Sequence, residues 1–508
     1  LKILNSFRFL LIILFTSNYI SAQDSLSLFQ NLKNQYDSER DFKVNIFYNP
    51  ANMLDYSSSS FSELYVDYYN QKDKIYRQQN GSEKQGFGVI TNSYQKLNKN
   101  KVLWGSASYQ NLKTKRIKYN ENLDFNRVAP YISSDSVGGD LEIEKYQFSG
   151  GYAQKFNQVT LGAQASYNAQ LGARARDPRI NNTTSELNLK IGLKYAFYRN
   201  FDVSLYAEGE RYLQNSKVRF ASKIGQSLVY QMTGFGFYNS LFSGGTTSLT
   251  TVHEEYGYKF GGGINHKEGK GFYILAYIGQ SNMLKSYRGT SNRFYDLSDL
   301  NKDYFEVEGA KFFQIADHRL GVKLNYLSNQ TTGKEYGYTN NTQLLEQIYK
   351  RLSYKRDETI TSFSLLYSLN KEKFSLSALP YFRMQEIKEQ RINPYSGQKF
   401  EYSIIGLIID YKHKIANNQA LTFRPFFDIK SVTSSKNALA TIDLSFLNNW
   451  INQDYNYLAS DIQTIGASLR YDIKVEKIPA LFVETGFSNS RIQSKNNNFS
   501  TVMVGITF

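Results

Sequence analysis

The chain has 508 residues, with 60 Lys and Arg against 45 Asp and Glu, a formal net charge of +15 and no cysteine, which excludes disulfides, thiolate metal sites and thiol catalysis together. With 41 Tyr, 35 Phe, 34 Gly, only 7 Pro and a mean hydropathy of −0.49, it is too polar for a bundle of membrane helices. A barrel that turns every second residue to a polar lumen averages hydrophilic and still spans lipid, and charge spread without a long basic block suits a solvated surface or anionic lipopolysaccharide rather than nucleic acid.

Leu1 to Ala22 read as a targeting segment: Lys2 and Arg8 flank an apolar run from Phe9 to Phe15, and Ser21-Ala22 supply small residues before a cut near Gln23. The run is too short to span a membrane as a helix, and no later run approaches that length. Residues 23–60 form an N-terminal segment of different texture. Asp24 to Gln35 suits a short helix with Leu28, Phe29 and Leu32 on one side, and Tyr48-Asn49-Pro50-Ala51 follows it. Phe29, Leu32, Phe42, Ile46 and Phe47 would expose apolar surface outside a barrel, so the segment is expected to fold inward as a small lumen plug. A turn set by Pro50 is the simpler reading of Asn-Pro-Ala itself.

From Ser62 onward strands alternate with short and long connections. Gln158 to Asn168 sets Val159, Leu161, Ala163, Ala165 and Tyr167 against Thr160, Gln164 and Ser166, and Glu186 to Phe197 sets Leu187, Leu189, Ile191, Leu193 and Tyr195 against Asn188, Lys190 and Lys194. The same alternation recurs in Phe201 to Glu210, Arg319 to Tyr326 and Ile462 to Ile473. Counting hairpins gives about eighteen strands, with sixteen as the alternative, in an all-β, antiparallel, up-and-down transmembrane β-barrel over 61–508. Short connections near Leu97 to Lys101, Lys155 to Asn157, Tyr198 to Asn200, His266 to Gly269, Ala316 to His318, Asn370 to Lys373, Ala416 to Asn418 and Val475 to Ile478 read as periplasmic turns. Long ones near Thr114 to Leu141, Gly172 to Thr184, Gln214 to Val252, Ser281 to Asp303, Asn329 to Asp357, Ile387 to Lys399 and Ser431 to Ala459 read as extracellular loops. Pro380 and Pro425 interrupt predicted strands and are expected at bulges or at the barrel rim. The last stretch, Ser500 to Phe508, places Val502, Val504, Ile506 and Phe508 on one face; closure against the first strand would leave no edge.

That stretch resembles the terminal signal by which Gram-negative outer-membrane barrels are recognised for insertion, with Phe508 in the final aromatic position and Gly505 near it, although Met503 stands where the signal usually has glycine. Ala129-Pro130-Tyr131, Asp135-Ser136-Val137-Gly138-Gly139-Asp140, Ser149-Gly150-Gly151-Tyr152, Asp177-Pro178-Arg179 and Thr233-Gly234 with Gly236 follow one another in an order and spacing that resembles a family of uncharacterised outer-membrane barrels from the Bacteroidota. Asn49-Pro50-Ala51 is similar to the tripeptide near the start of fatty-acid-transporter-type barrels, whose amino-terminal segment plugs the lumen. The resemblance implies the outer membrane of a Gram-negative bacterium and a neighbourhood with TonB-dependent transport machinery; it implies no activity.

Within the loops, Asp135 and Asp140 around Gly138-Gly139 offer two carboxylates, too few to specify a hard cation, so a tight turn is the favoured reading. Asp177 and Arg179 suit an ion pair across Pro178. Gly261-Gly262-Gly263 lacks the strand-to-helix setting of a phosphate loop and reads as a thinned strand wall. Of the 4 histidines, His266, His318 and His413 fall at short turns, leaving His253 beside Glu254 and Glu255, which point to opposite faces of a strand. One isolated histidine supplies no hydrolytic constellation, so no enzyme, catalytic residue, cofactor or metal is expected.

The predicted lumen face carries Glu186, Lys190, Lys194, Asp202, Glu208, Glu210, Lys323, Arg470 and Asp472, charges that serve either selectivity in an open pore or ion pairs in a filled one. The expected function is transport of a small or medium solute across the outer membrane. The alternative is an accessory subunit of a larger outer-membrane complex, presenting Tyr- and Gly-rich loops such as Tyr230 to Thr246 to a protein partner. Other partners implied are outer-membrane lipid, lipopolysaccharide and the outer-membrane assembly machinery, with Gly505 and Phe508 as the assembly signal.

Overall fold

The computed structural model describes residues 26–508 except 223–226, 246–247, 268–270, 289–292, 341–344, 443 and 477. The targeting segment Leu1 to Ala22 lies outside the described residues, as do Gln23, Asp24 and Ser25. In chain order the strands begin with β1 (Phe61–Lys72), β2 (Glu83–Asn98), β3 (Lys101–Ile117), β4 (Ser133–Ser134), β5 (Gly139–Phe156), β6 (Val159–Ala173) and β7 (Arg179–Tyr198). They continue with β8 (Phe201–Arg219), β9 (Val229–Gly234), β10 (Phe237–Gly244), β11 (Ser248–His266), β12 (Phe272–Arg288), β13 (Phe294–Ile315) and β14 (His318–Tyr338). The series ends with β15 (Gln347–Asn370), β16 (Phe374–Arg391), β17 (Ser396–Ala416), β18 (Gln419–Ala438), β19 (Ile462–Ile473), β20 (Ala480–Ile492) and β21 (Lys495–Thr507).

Eighteen of these strands make one antiparallel sheet, while β4, β9 and β10 make a separate sheet of three. The large sheet closes on itself. β21 lies antiparallel to β1, with Val504 opposite Val66 and Gly505 opposite Tyr65, and the Phe508 amide donates to the Ser62 carbonyl at 2.8 Å. The result is an edgeless eighteen-stranded barrel, as the hairpin count predicts. Its two faces are inverted relative to a protein folded in water: Ile191 is 66% exposed on the outside, whereas Lys194, on the inside, is 6% exposed.

The short connections fall where expected, at 99–100, 157–158, 199–200, 267–271, 316–317, 371–373, 417–418 and 474–479. The long connections are shorter than expected, because strands run on into them. β14 and β15 cover most of Asn329 to Asp357, and β7, β8, β11, β12, β13, β16, β17 and β18 lengthen in the same way. In these extensions polar residues such as Thr331 and Asp357 take the strand positions, so the hydrophobic period disappears while Thr331 still pairs with Arg356 in the ladder. The prolines also depart from expectation: both lie mid-strand, in register, neither at bulges nor at the rim. Pro380 pairs with Leu407, and the β15–β16 ladder skips it between Ser364–Tyr381 and Tyr367–Ala378. Pro425 pairs with Ala467, and the β17–β18 ladder skips it between Ile408–Phe426 and Tyr411–Phe423. A missing N–H breaks one ladder and leaves the other intact.

Before β1, the chain makes helices α1 (Leu28–Gln35) and α2 (Ser38–Phe42), then 3-10 turns over Val44–Tyr48 and Pro50–Asp55. Ser27 caps α1 by accepting from the Gln30 amide at 3.3 Å, and Asp37 caps α2 by accepting from the Glu39 amide at 2.9 Å. Leu28, Phe29 and Leu32 bury against Ala420 and Ala480 of the barrel, and Phe42 and Ile46 bury among Tyr206, Tyr273 and Phe312. Each such burial is worth about 1.5–3 kcal/mol. The Asn-Pro-Ala turn is seated on bare strand. Asn49 accepts from the Ala51 amide at 2.9 Å through its side-chain oxygen, while its Nδ2 donates to the Leu193 and Leu205 carbonyls at 3.2 and 2.9 Å. Gly162 and Gly192 lie directly beneath, where a Cβ at Gly192 would strike the Asn49 side chain.

A Gly192→Val substitution therefore competes with the turn for one space, with about 1–3 kcal/mol of overpacking if the turn stays. The expected result is trypsin cleavage after Arg40 and Lys43 in a barrel that still shows a heat-dependent gel shift; a segment left uncut would show that the seat is elsewhere.

Candidate functional site

Connection 118–138 turns into the barrel, and its short helix α3 (Phe125–Val128) delivers Arg127 to the inner wall. The guanidinium meets Glu186 at 3.2 Å, Glu255 at 2.6 Å and Glu210, and it lies 4.0 Å above the Tyr212 ring. Lys302 reaches both Glu255 and the Arg127 carbonyl at 3.1 Å. Further along the same connection, Lys285 donates to the Ile132 carbonyl at 3.0 Å and His253 Nε2 to the Tyr131 carbonyl at 2.8 Å. A carbonyl only accepts, so His253 carries its proton on Nε2 and serves as a structural donor. Glu255 shares its inward face, and Glu254 points outward to Arg211 at 2.8 Å.

The Gly138-Gly139 motif is a turn. Asp135 Oδ1 accepts from the Val137 and Gly138 amides at 2.6 and 2.7 Å, with Gly138 at φ 69°, while Asp140 accepts from the Arg116 amide at 3.0 Å. Among the described residues no group of acidic and histidine side chains has metal-binding geometry. Behind that turn Arg174 binds Glu121 at 2.9 Å and approaches Asp135 at 3.7 Å, all three fully buried. Arg179 meets Asp177 at 3.1 Å, and Asp177 also accepts from the Ala221 and Ser222 amides at 2.9 and 2.8 Å, tying two connections together. Gly261 lies in β11 under the rings of Tyr206 and Tyr277, whose centroids are 5.6 Å apart.

Two further insertions close the same end. β9 is buried along its whole length, with Tyr230 and Met232 in a cluster with Tyr131, Leu447 and Trp450. The expectation that Tyr230 to Thr246 presents a contact surface is thus corrected for Tyr230 to Gly234, which are buried, with Tyr230 and Gln231 paired to Ser134 and Ser133. Helix α4 (Ser445–Leu458) lies within the stretch read as a loop from Ser431 to Ala459. Its signal was present, since Leu447, Trp450, Ile451 and Asp454 are spaced along one helical face and are the residues it buries. Trp450 stacks on Tyr119 at 5.0 Å, and Asp454 pairs with Arg77 at 3.1 Å.

Against these insertions lies a cavity of about 590 Å³, lined by Glu208, Glu210, Lys259, Lys302, Tyr304, Arg356 and Glu358 among others. A second cavity of about 420 Å³, sharing Phe125 and Asn126 with the first, reaches Lys145, Asn168 and Glu186. All nine residues predicted for the lumen face inward. Glu186 and Glu210 hold Arg127, and Lys190 lies 3.7 Å from Glu208. The other five meet the N-terminal segment or one another. Lys194 binds Asp55 at 2.6 Å with Asp202 beside it, Lys323 donates to the Phe42 carbonyl at 2.5 Å, and Arg470 joins Asp472 at 2.8 Å to the Tyr36 hydroxyl at 2.6 Å. Arg127 and Lys302 were missed and Glu255 was singled out only beside His253; a single arginine in a polar loop carries no period, and Lys302 lies in a stretch read as a loop. Gly505 packs against β1, where a Cβ would stand 2.5 Å from the Leu64 carbonyl and the Tyr65 Cβ.

Two outcomes follow. Arg127→Ala leaves three carboxylates facing one another, and breaking this partly buried network costs up to about 3–5 kcal/mol, the value for a fully buried pair; amide exchange over 119–134 should accelerate while the barrel strands keep their protection. Burial and the Asp135 carboxylate raise the Glu121 carboxyl well above its usual range, despite Arg174. An acid raised on docking favours the docked state fully below its ordinary value of 4.5, and that contribution is lost as pH climbs through the raised value. Tryptic cleavage at Arg127 should therefore increase as pH rises above 4.5 more in the natural protein than in a Glu121→Gln variant.

No curated protein matches the chain in sequence. Among solved structures it is similar to BauA, the ferric preacinetobactin receptor of Acinetobacter baumannii, at 9% identity and a TM-score of 0.42, covering 89% of this chain and 80% of that one. The siderophore receptor PiuA of Acinetobacter baumannii gives 7% identity and a TM-score of 0.41 over 89% and 82% of the two chains. The copper transporter OprC gives 8% and 0.38 over 88% and 80%. A family model spans residues 50–508, from the Pro50 that sets the seated turn through every strand of the barrel, and by that match the chain belongs to the family of unknown function DUF6850.

Proposed function

We propose that the protein is a non-enzymatic outer-membrane barrel that transports a small or medium polar solute. Support for the membrane comes from the outer wall, where Leu205, Ile274, Ile465 and Val504 on four different strands are each more than half exposed. Apolar surface on that scale calls for lipid. The short turns then face the periplasm and the long connections, with α4 and β9, face outward. The closing strand, with Gly505 and Phe508, serves as the signal for the assembly machinery.

One observation carries the transport reading: a cavity of about 590 Å³ is bordered by connection 118–138 and by α4, neither of which is a strand of the barrel. Its size suits a small or medium ligand. Connection 118–138 is pinned at Arg127, and Leu28–Asp55, whose Tyr48 ring lies 5.8 Å from the lining residue Lys259, acts as a plug. Both are held by side-chain contacts, so withdrawing them opens a path without breaking the wall.

Planar-bilayer recording tests this. The intact protein is expected to stay closed, and a variant lacking residues 26–55 and carrying Arg127→Ala is expected to conduct. A doubly altered barrel that is heat-modifiable yet passes no current would refute a transport role.

A further inference from the structure

The outer face of β7, β8, β11 and β12, which neighbour one another in that order, carries two features one above the other. The lower is a depression of about 800 Å³ in the apolar belt. Alternation from the exposed Ile191, Leu205, Phe260 and Ile278 puts the small residues Ala207, Gly262 and Ala276 on the same outward face, where they form its floor. Every outward side chain around it is apolar, so it suits hydrocarbon. The upper feature is basic. The same alternation brings Arg179, Lys217, Arg219 and Arg288 to this face, while the intervening Ile180, Val218 and Leu249 are buried. Lys217 stands opposite Thr250, which stands opposite Arg288, and Arg219 stands directly opposite Arg179. Two carboxylates share this ground: Asp177 is held by Arg179 at 3.1 Å and by the Ala221 and Ser222 amides, and Asp296 accepts from Ser286 at 2.8 Å. The next, Glu254, is held by Arg211 at 2.8 Å. Four bases thus meet two carboxylates, and neither Lys217 nor Arg219 has an ion-pair partner among the described residues.

Exposed bases alone are commonly just solvated, and an apolar dent alone is just covered by lipid. Like charges directly opposite one another, as Arg179 and Arg219 are, destabilise a ladder, and an anion lying between them offsets that cost. The spacing ties the two features together. From Phe260 beside the depression to Thr250 in the basic row, β11 runs ten residues, roughly 33 Å along the strand and about 25 Å in height at the usual tilt. One leaflet with its headgroups is about 20–23 Å thick, so a single lipid reaches from one feature to the other. We propose that this face is a seat for one phosphorylated glycolipid of the outer leaflet, with its acyl chains in the depression and a phosphate between Arg179, Lys217 and Arg219. The inference rests on the membrane reading and is independent of the transport one.

The test is native mass spectrometry of the full-length protein in detergent micelles, titrated with lipid A bearing both phosphates, with lipid A stripped of them, and with inorganic phosphate. One intact glycolipid is expected to bind each barrel saturably, and more tightly than the stripped form. Lys217→Gln and Arg219→Gln should each weaken the intact form by at least about fivefold, the contribution of one base beside an anionic lipid surface, and leave the stripped form unchanged. Ala276→Leu, which fills the depression, should weaken both forms. Lys113→Gln removes the same charge from the outer wall on β3, where Lys113 pairs with the exposed Glu142, and should weaken neither. A heat-dependent gel shift in every variant separates lost binding from lost folding. Absence of saturable glycolipid binding, equal affinity for the two forms, or an equal loss in Lys113→Gln would overturn the proposal. Binding of inorganic phosphate that is lost in Lys217→Gln would assign the basic row to a free anion and overturn it as well. A protein that does not enter lipid vesicles sinks the membrane reading and this proposal with it, whereas a barrel that enters vesicles yet fails these titrations sinks the proposal alone.

Discussion

A ring of eighteen strands encloses more space than inward side chains can occupy, and everything else inside this protein answers to that constraint. An eight-stranded barrel fills itself; one of this width holds either water or additional chain. Here the additional chain comes from both ends of the lumen. The N-terminal helices and turns fill from the side of the short turns, and α3, α4 and the small sheet fill from the other. What neither reaches is left as the two cavities beside α3.

Chain folded into a lumen brings main-chain carbonyls that have no ladder to join, and the wall supplies donors for them. His253 serves Tyr131, Lys285 serves Ile132, Lys302 serves Arg127, Lys323 serves Phe42 and Arg391 serves Thr233. Carbonyls left bare in such surroundings would cost about 1–3 kcal/mol each. The inward bases are thus partly a hydrogen-bonding device and only partly an electrostatic one. Filler and wall meet through guanidinium–carboxylate groups: Arg127 of the filler reaches wall carboxylates, and Arg174 beside β6 receives Glu121 and Asp135 of the filler.

The closed sheet and its strand number were legible because lipid and lumen impose opposite demands on alternate residues, and Ile465, Leu469 and Tyr471 against Arg470 and Asp472 display that demand directly. Strand ends were not legible on the outer side, since polar pairs such as Thr331 and Arg356 continue a ladder without any hydrophobic period. The nine lumen charges were found by parity alone, yet parity does not say which of them meets a filler and which faces open space. Lys194 and Lys190 are four residues apart on one strand, and one binds Asp55 of the N-terminal segment while the other overlooks Tyr48. The fate of Tyr230 was hidden for a related reason: an aromatic, glycine-rich loop looks the same whether it is to be buried by its own barrel or by another protein.

The seat of the Asn-Pro-Ala turn is written in main chain. Asn49 grips the carbonyls of Leu193 and Leu205, and Gly162 and Gly192 contribute only the lack of a side chain. Such a dock is indifferent to what the neighbouring strands display toward lipid, so Leu193 and Leu205 are free to drift among apolar residues over evolutionary time. The two glycines are not, because any replacement adds bulk where none fits. Sequence divergence in this part of the wall should therefore be lopsided, free outside and frozen inside, and a descendant that lost either glycine would be expected to have lost the Asn-Pro-Ala turn as well.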